Sequence, residues 1–189
     1  MRLRFPTATT LLTLLLTLLF ALAVIVSPSS ARQLARPKLP DVKFVASPQS
    51  AVDAMLELAH VTSADVVYDL GSGDGRIPIA AAKKYGARGV GIEIDAKLVR
   101  DSIDNAKKAG VADRVVFRNQ DLFEANISDA TVVTLFLLTH LNVELMPKLK
   151  RELKPGTRVI SLHFHMGDQW MPEQSQDVDG LTIYLWTIR

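Results

Sequence analysis

The 189-residue chain contains no cysteine. That excludes a disulfide framework and any zinc site built on thiolates. It also lacks a surplus of one charge outside its first residues. Lys and Arg number 22 against 20 Asp and Glu, and residues 1–31 hold Arg2 and Arg4 but no acid. The rest therefore balances at 20 basic and 20 acidic residues, leaving no broad basic field to gather nucleic acid, and no nucleic-acid partner is expected. Internal repeats are absent, and the length suits one domain of ordinary size plus an extension.

No charged residue stands between Arg4 and Arg32, and Leu11–Val26 is apolar except for Thr13 and Thr17. With the basic start and the small residues Ser29-Ser30-Ala31, residues 1–31 read as either a cleaved signal peptide or an uncleaved membrane anchor. The segment is apolar on every face, so a buried core helix is not expected. The protein is then membrane-associated through this segment, or exported if it is removed. Residues 32–46, with Pro37 and Pro40, read as a linker, and 47–189 as the domain. Phe44–Pro48 is expected to pack on that domain.

What is present centres on Val66–Arg76. An apolar run suits a buried central strand, and Gly71, Gly73 and Gly75 then allow positive φ and close approach of a ligand to the backbone. A helix over Ile77–Lys84 follows, with Pro78 in its first turn and Gly86 at its end. Its start offers free N–H groups and a positive dipole end. A dinucleotide turn needs G-x-G-x-x-G, but the pattern here is G-x-G-x-G, with Arg76 where the last glycine would stand.

Further elements follow in alternation. An amphipathic helix over Ser50–His60 precedes the core strand, and His60 suits its carboxyl end as a cation. Gly89–Ile94 reads as the second strand, with Glu93 at its carboxyl end, 18 residues beyond Gly75, where an acid can accept from both hydroxyls of a ribose. Asp95 is placed to cap a helix over Ala96–Ala109, closed by Gly110. Arg114–Arg118 reads as the third strand, running into Asp121-Leu122. Ala130–Leu138 reads as the fourth, and a helix is expected around Glu144–Leu153, with Pro147 near its first turn. Arg158–Met166 reads as the fifth strand, putting His163 and His165 on one face. Two histidines are fewer than the three or four ligands a metal site uses, so no metal is expected. Trp170 either walls a pocket or caps the core. No helix-length segment separates the fifth strand from the end. Gln174–Val178 and Leu181–Ile188 instead flank Asp179-Gly180, a type I′ hairpin signal. The expected fold is therefore α/β and Rossmann-like, with five parallel strands plus a C-terminal antiparallel hairpin.

Asp69-Leu70-Gly71-Ser72-Gly73-Asp74-Gly75 resembles the first motif of the class I S-adenosylmethionine (SAM) methyltransferases, an acid and a hydrophobic residue before G-x-G-x-G. The resemblance also runs through Gln120–Phe123, Thr131–Leu138 and Leu149–Thr157. It is closest to small bacterial methyltransferase domains similar to the mitochondrial protein-lysine methyltransferases. It implies SAM as cofactor. Asp69 and the turn amides would position the methionine moiety, Glu93 the ribose, and Asp121 the adenine amino group with Leu122 near the ring; Leu70, Gly71, Ser72, Gly73, Gly75 and Ile94 complete the cofactor-binding set it implies. A simple Asx turn is the competing reading of Asp121. Relatives of this kind carry a hydrophobic N-terminal segment and act on lysines of membrane proteins, which implies such an acceptor here and membrane contact through residues 1–31. Methyltransferases of adenine or glutamine amides carry Asn/Asp-Pro-Pro-Tyr/Phe after the fourth strand. Leu137-Leu138-Thr139-His140-Leu141-Asn142 stands there instead, against those substrates. His140 is the one titratable group in that loop. It is a candidate general base, or else a surface histidine. Two other readings stay open: an NAD(P)-linked oxidoreductase, and a non-catalytic domain that is membrane-tethered or exported.

Overall fold

A computed structural model describes residues 44–189. The expectations for residues 1–31, and for all of the linker but Phe44, Val45 and Ala46, lie outside the described residues. Among the described residues no helix is long and apolar enough to cross a membrane.

Helix α1 (Gln49–Leu58) leads into β1 (Val66–Leu70), α2 (Arg76–Tyr85), β2 (Arg88–Glu93), α3 (Ala96–Ala109) and β3 (Val115–Asn119). After these come β4 (Val132–Leu135), α4 (Thr139–Glu152), β5 (Arg158–Leu162), a 3-10 turn at Gly167–Gln169, and the hairpin β6 (Gln174–Val178) and β7 (Leu181–Thr187). One seven-stranded sheet runs in the order β3-β2-β1-β4-β5-β7-β6. The first five strands are parallel, and β7 pairs antiparallel with β5 and β6. The expected arrangement is thus observed. Strand order reverses between β1 and β4, and ligands of such sheets bind at the carboxyl ends beside that reversal.

Strand alternation distributes the core. Val66, Tyr68, Leu70, Val133, Leu135 and Val159 pack with Leu141, Leu145 and Leu149 of α4. Val67, Val132, Ile160 and Leu162 face the other way, toward α1 and Ile77 and Ala81 of α2. A Cβ on Gly91 would lie 2.4 Å from Phe117 and 2.5 Å from the Ser72 hydroxyl, so the bare backbone of β2 lets the glycine turn settle against it. Asp95 caps α3 through a 2.7 Å bond from the Lys97 N–H. Asp179 and Gly180 both take positive φ, 51° and 80°, as the hairpin signal requires.

Three local expectations are corrected. Helix α4 begins at Thr139, so Pro147 is interior rather than in the first turn; it is exposed, and α4 continues through it. Strand β4 stops at Leu135, short of Leu138. Strand β5 stops at Leu162 because His163 takes φ 67° and the Phe164 N–H bonds back to the Leu162 carbonyl at 2.8 Å. The alternation that would aim His163 and His165 alike ends there.

Candidate active site

The glycine-rich turn is held down before any ligand arrives. The N–H groups of Gly71 and Ser72 both donate to the Ile92 carbonyl, at 2.9 and 3.0 Å. Glu93 fixes the far side: its Oε2 accepts from Gly73 N–H at 2.9 Å and its Oε1 from Asp95 N–H at 2.8 Å. The carboxylate is 8 % exposed and pre-oriented by backbone alone. Asp69, 3 % exposed, stands next to last in β1 and accepts a 2.7 Å bond from the Thr134 hydroxyl. Burial pushes its carboxyl up to about 7, with Glu93 and Asp74 adding to the rise and Thr134 opposing it. A buried carboxyl so poised favours a cationic partner.

These groups line one cavity of about 820 Å³ over the carboxyl ends of the parallel strands. Asp69, Gly71, Ser72, Glu93, Ile94, Asp121 and Leu122 all line it. Of the other expected site residues, Leu70 is buried in the core. Gly73 lies under the ring of Phe44, where a Cβ would come within 2.1 Å. Gly75 is the left-handed first residue before α2, closed in by Phe117 and Ser102. Asp121 accepts from Phe123 N–H at 2.9 Å, so the Asx turn exists and faces the cavity as well. His140 is exposed and is not among the lining residues. Trp170 caps the core: its carbonyl accepts from Trp186 Nε1 at 2.8 Å, and the two rings lie 5.8 Å apart.

The sequence reading missed several residues of the site. Phe44 and Ser47 form its rim, and the Ser47 carbonyl accepts from Arg76 Nη1 at 2.6 Å. Arg76 also forks onto Asp74, at 2.9 and 2.6 Å. Burial would raise the Asp74 carboxyl, but Arg76 outweighs it and holds that group below the usual range. The residue that breaks the dinucleotide pattern thus ties the incoming strap to the glycine turn. Beyond β4 and β5 the lining changes character, to Phe136, Leu137, Leu138, Leu141 and Phe164. The rings of Phe136 and Phe164 stack with centroids 6.1 Å apart. Every titratable lining residue stands on the other side: Asp69 in β1, Asp74 in the turn, Arg76 and Lys97 in the first turns of α2 and α3, Glu93 in β2, and Asp95 and Asp121 in the loops after β2 and β3.

The cavity therefore has a polar half and an apolar half. The polar half suits an extended ligand with an ammonium group, a diol and a flat heterocycle. The Ser72 hydroxyl, 4 % exposed and without a partner, supports that fit, because a buried orphan hydroxyl at a ligand turn awaits one.

Comparison with known proteins agrees. Residues 69–174 match the family profile described as the ANTKMT methyltransferase domain. A protein-lysine N-methyltransferase of Saccharolobus islandicus is 45 % identical over 155 residues, covering 79 % of this chain and 96 % of that protein. The adenine nucleotide translocase lysine N-methyltransferase of Mus musculus is 34 % identical over 132 residues, covering 69 % of this chain and 56 % of that protein. A solved structure, named as that of an RNA methyltransferase from Salinibacter ruber in complex with S-adenosyl-L-homocysteine (SAH), is 59 % identical with a TM-score of 0.75. The match covers 76 % of this chain and 94 % of the Salinibacter chain.

Proposed function

The chain belongs to the ANTKMT methyltransferase family and is a SAM-dependent methyltransferase, and on that premise we propose that it methylates the side-chain amine of lysine in a protein. The observation that carries the acceptor is the apolar half of the cavity. A planar base inserted between Phe136 and Phe164 would need about 7 Å, two van der Waals contacts of ~3.5 Å each, and their centroids are 6.1 Å apart. A lysine's thin aliphatic stem needs no such opening. The domain, with 16 basic and 19 acidic residues over 47–189, likewise offers no basic field for a polyanion. The name of the Saccharolobus relative agrees with this acceptor, and the name of the Salinibacter protein supplies the competing one.

SAM, when bound, supplies an electrophilic methyl group on a sulfonium sulfur. The chain's own residues do the rest. We assign the methionine ammonium to Asp69, the ribose hydroxyls to Glu93 with Ile94 beside them, and the adenine to Asp121 and Leu122. Gly71 and Ser72 present the turn. Binding energy at these groups fixes orientation, which supplies much of the rate of a displacement. The acceptor amine must be neutral to attack. Phe136, Leu137, Leu138 and Phe164 exclude water and so disfavour the ammonium form, with the proton leaving to solvent at the mouth. No role for His140 is needed.

We further infer that the acceptor is a lysine near a membrane surface and that residues 1–31 bring the domain there. The run Leu11–Val26, the exposed apolar rim of Phe44, Val45 and Leu138, and the cytoplasmic supply of SAM favour an uncleaved anchor with the domain facing the cytoplasm. Retention in the membrane pellet after alkaline carbonate washing checks this; release into the wash contradicts it.

The acceptor is tested with the full chain in detergent, methyl-labelled SAM, and separate protein and RNA fractions. Label should enter protein and vanish when lysines are acetylated beforehand. Label confined to RNA would replace the lysine reading with the nucleic-acid one.

A further inference from the structure

Phe164 stands on a loop, yet it is among the most constrained residues of the cavity. His163, just before it, takes φ 67°, and the Phe164 N–H reaches the Leu162 carbonyl at 2.8 Å. That is a γ-turn of the rare positive-φ hand, a strained conformation that persists only where its surroundings enforce it. The surroundings are specific. The His163 N–H donates to the Thr182 carbonyl at 2.6 Å. The Phe164 carbonyl accepts two hydrogen bonds, from Ser161 Oγ at 2.6 Å and from Asn142 Nδ2 at 3.0 Å.

Asn142 is the less expected partner. It lies in the first turn of α4, is 0 % exposed, and also donates to Ser161 Oγ at 3.2 Å. Its Oδ1 is buried without a partner. An orphaned buried oxygen is a net loss to folding, which a leucine would avoid. Stability alone therefore does not account for asparagine at this position. What its amide does is clamp the segment after β4 to the segment after β5. Those two segments supply Phe136 and Phe164, the stacked pair that lines the apolar half of the cavity.

We propose that Phe164, with Phe136, is the specificity-determining wall for the acceptor's aliphatic stem, and that Asn142 is the positioning residue that aims it. The inference rests on the lysine reading above. It adds which side chains select the stem and what holds them. The wall takes an unbranched alkyl chain ending in a neutral amine, because its lining offers contact area and no side-chain hydrogen-bonding group.

The test uses the full chain in detergent, loaded with SAH, and n-butylamine as probe, since it reproduces the four-carbon stem and amine. Ring resonances of Phe136 and Phe164 should shift on titration in the wild type. Phe164→Ala and Asn142→Leu should each weaken that response roughly tenfold. Phe164→Leu, which keeps an apolar wall, should recover most of it. SAH affinity should stay within about twofold, and Asn142→Leu should melt no lower than wild type. A purely structural role for Asn142 predicts the reverse: a lower melting temperature with unchanged butylamine response. That result, or absence of shifts at both rings in the wild type, overturns the proposal. The two readings fail separately. Butylamine shifts at the rings without any lysine methylation would sink the lysine reading. Lysine methylation with Phe164→Ala unchanged in butylamine response would sink the wall.

Discussion

Asp69 and Thr134 are register partners across the β1–β4 pairing, and the Thr134 hydroxyl donates a 2.7 Å hydrogen bond to the Asp69 carboxylate. The pair sits at the reversal of strand order, where Asp69 lines the cavity. The carboxyl, held at about 7 mainly by burial, exchanges its proton in the neutral range.

Cofactor affinity should follow that proton. If the methionine ammonium binds Asp69 as proposed, only the ionised carboxylate attracts it, so affinity for SAH should be level above pH 8 and fall below 7. One pH unit below the midpoint should weaken binding by about tenfold. Calorimetry from pH 5.5 to 8.5 reads this directly. Asp69→Asn should bind more weakly throughout and lose the slope.

The same shift predicts a stability gain in that variant. The folded carboxyl lies above its unfolded value of 3.8, so ionising it opposes folding. The penalty is absent below pH 4, grows as pH rises, and is complete above about 7. Asp69→Asn should therefore melt higher than wild type at pH 8, by an amount on the order of 2–4 kcal/mol, and lose that advantage near pH 4. Thermal melts at the two pH values test it.

At the opposite end of the strands, Arg158 bonds Asp65, whose carboxylate also accepts from the Thr131 hydroxyl and from the N–H and hydroxyl of Thr62. Burial would raise the Asp65 carboxyl, but these bonds outweigh it and hold the group low. Its contribution to stability is thus present above the ordinary carboxylate range and lost as pH falls through its folded value. Arg158→Ala leaves Asp65 without its cation and should cost roughly 2–4 kcal/mol, with SAH affinity of the folded fraction unchanged. Urea melts and calorimetry separate the two effects.

The strap at the rim gives a fourth expectation. Arg76→Ala removes the 2.6 Å bond to the Ser47 carbonyl and the fork to Asp74. Amide exchange over residues 44–47 should quicken by roughly tenfold, the size of one lost charge-assisted bond. Arg76→Lys should restore little of it, because a single ammonium cannot serve both partners at once.

The three acids and the glycine turn were legible in the sequence because each ends or follows a strand, at spacings that parallel βα units impose. The hairpin was legible because Asp179-Gly180 answers one turn geometry. The acceptor half was not. Phe136 closes an apolar run that has no period to mark where the strand stops. Phe164 is turned by His163, and nothing in a His-Phe-His sequence announces positive φ; the reading as a continuous strand followed its alternation. Helix α4 begins ahead of the position that Pro147, read as a first-turn residue, predicts, and the packing of Leu141 and Leu145 against the sheet accompanies that extension. In the sequence Arg76 stands out only for the glycine it replaces, while its bond reaches a strap 29 residues away.

The most direct measurement of the central claim is the chemical identity of the product. The full chain, in detergent, is incubated with methyl-labelled SAM and a membrane-protein fraction; the protein is then hydrolysed in acid and its amino acids separated. Label is expected in Nε-methylated lysine, abolished by Glu93→Ala, whose carboxylate holds the turn and faces the cleft. Label in any other residue, or none from a folded protein that binds SAH, would contradict it.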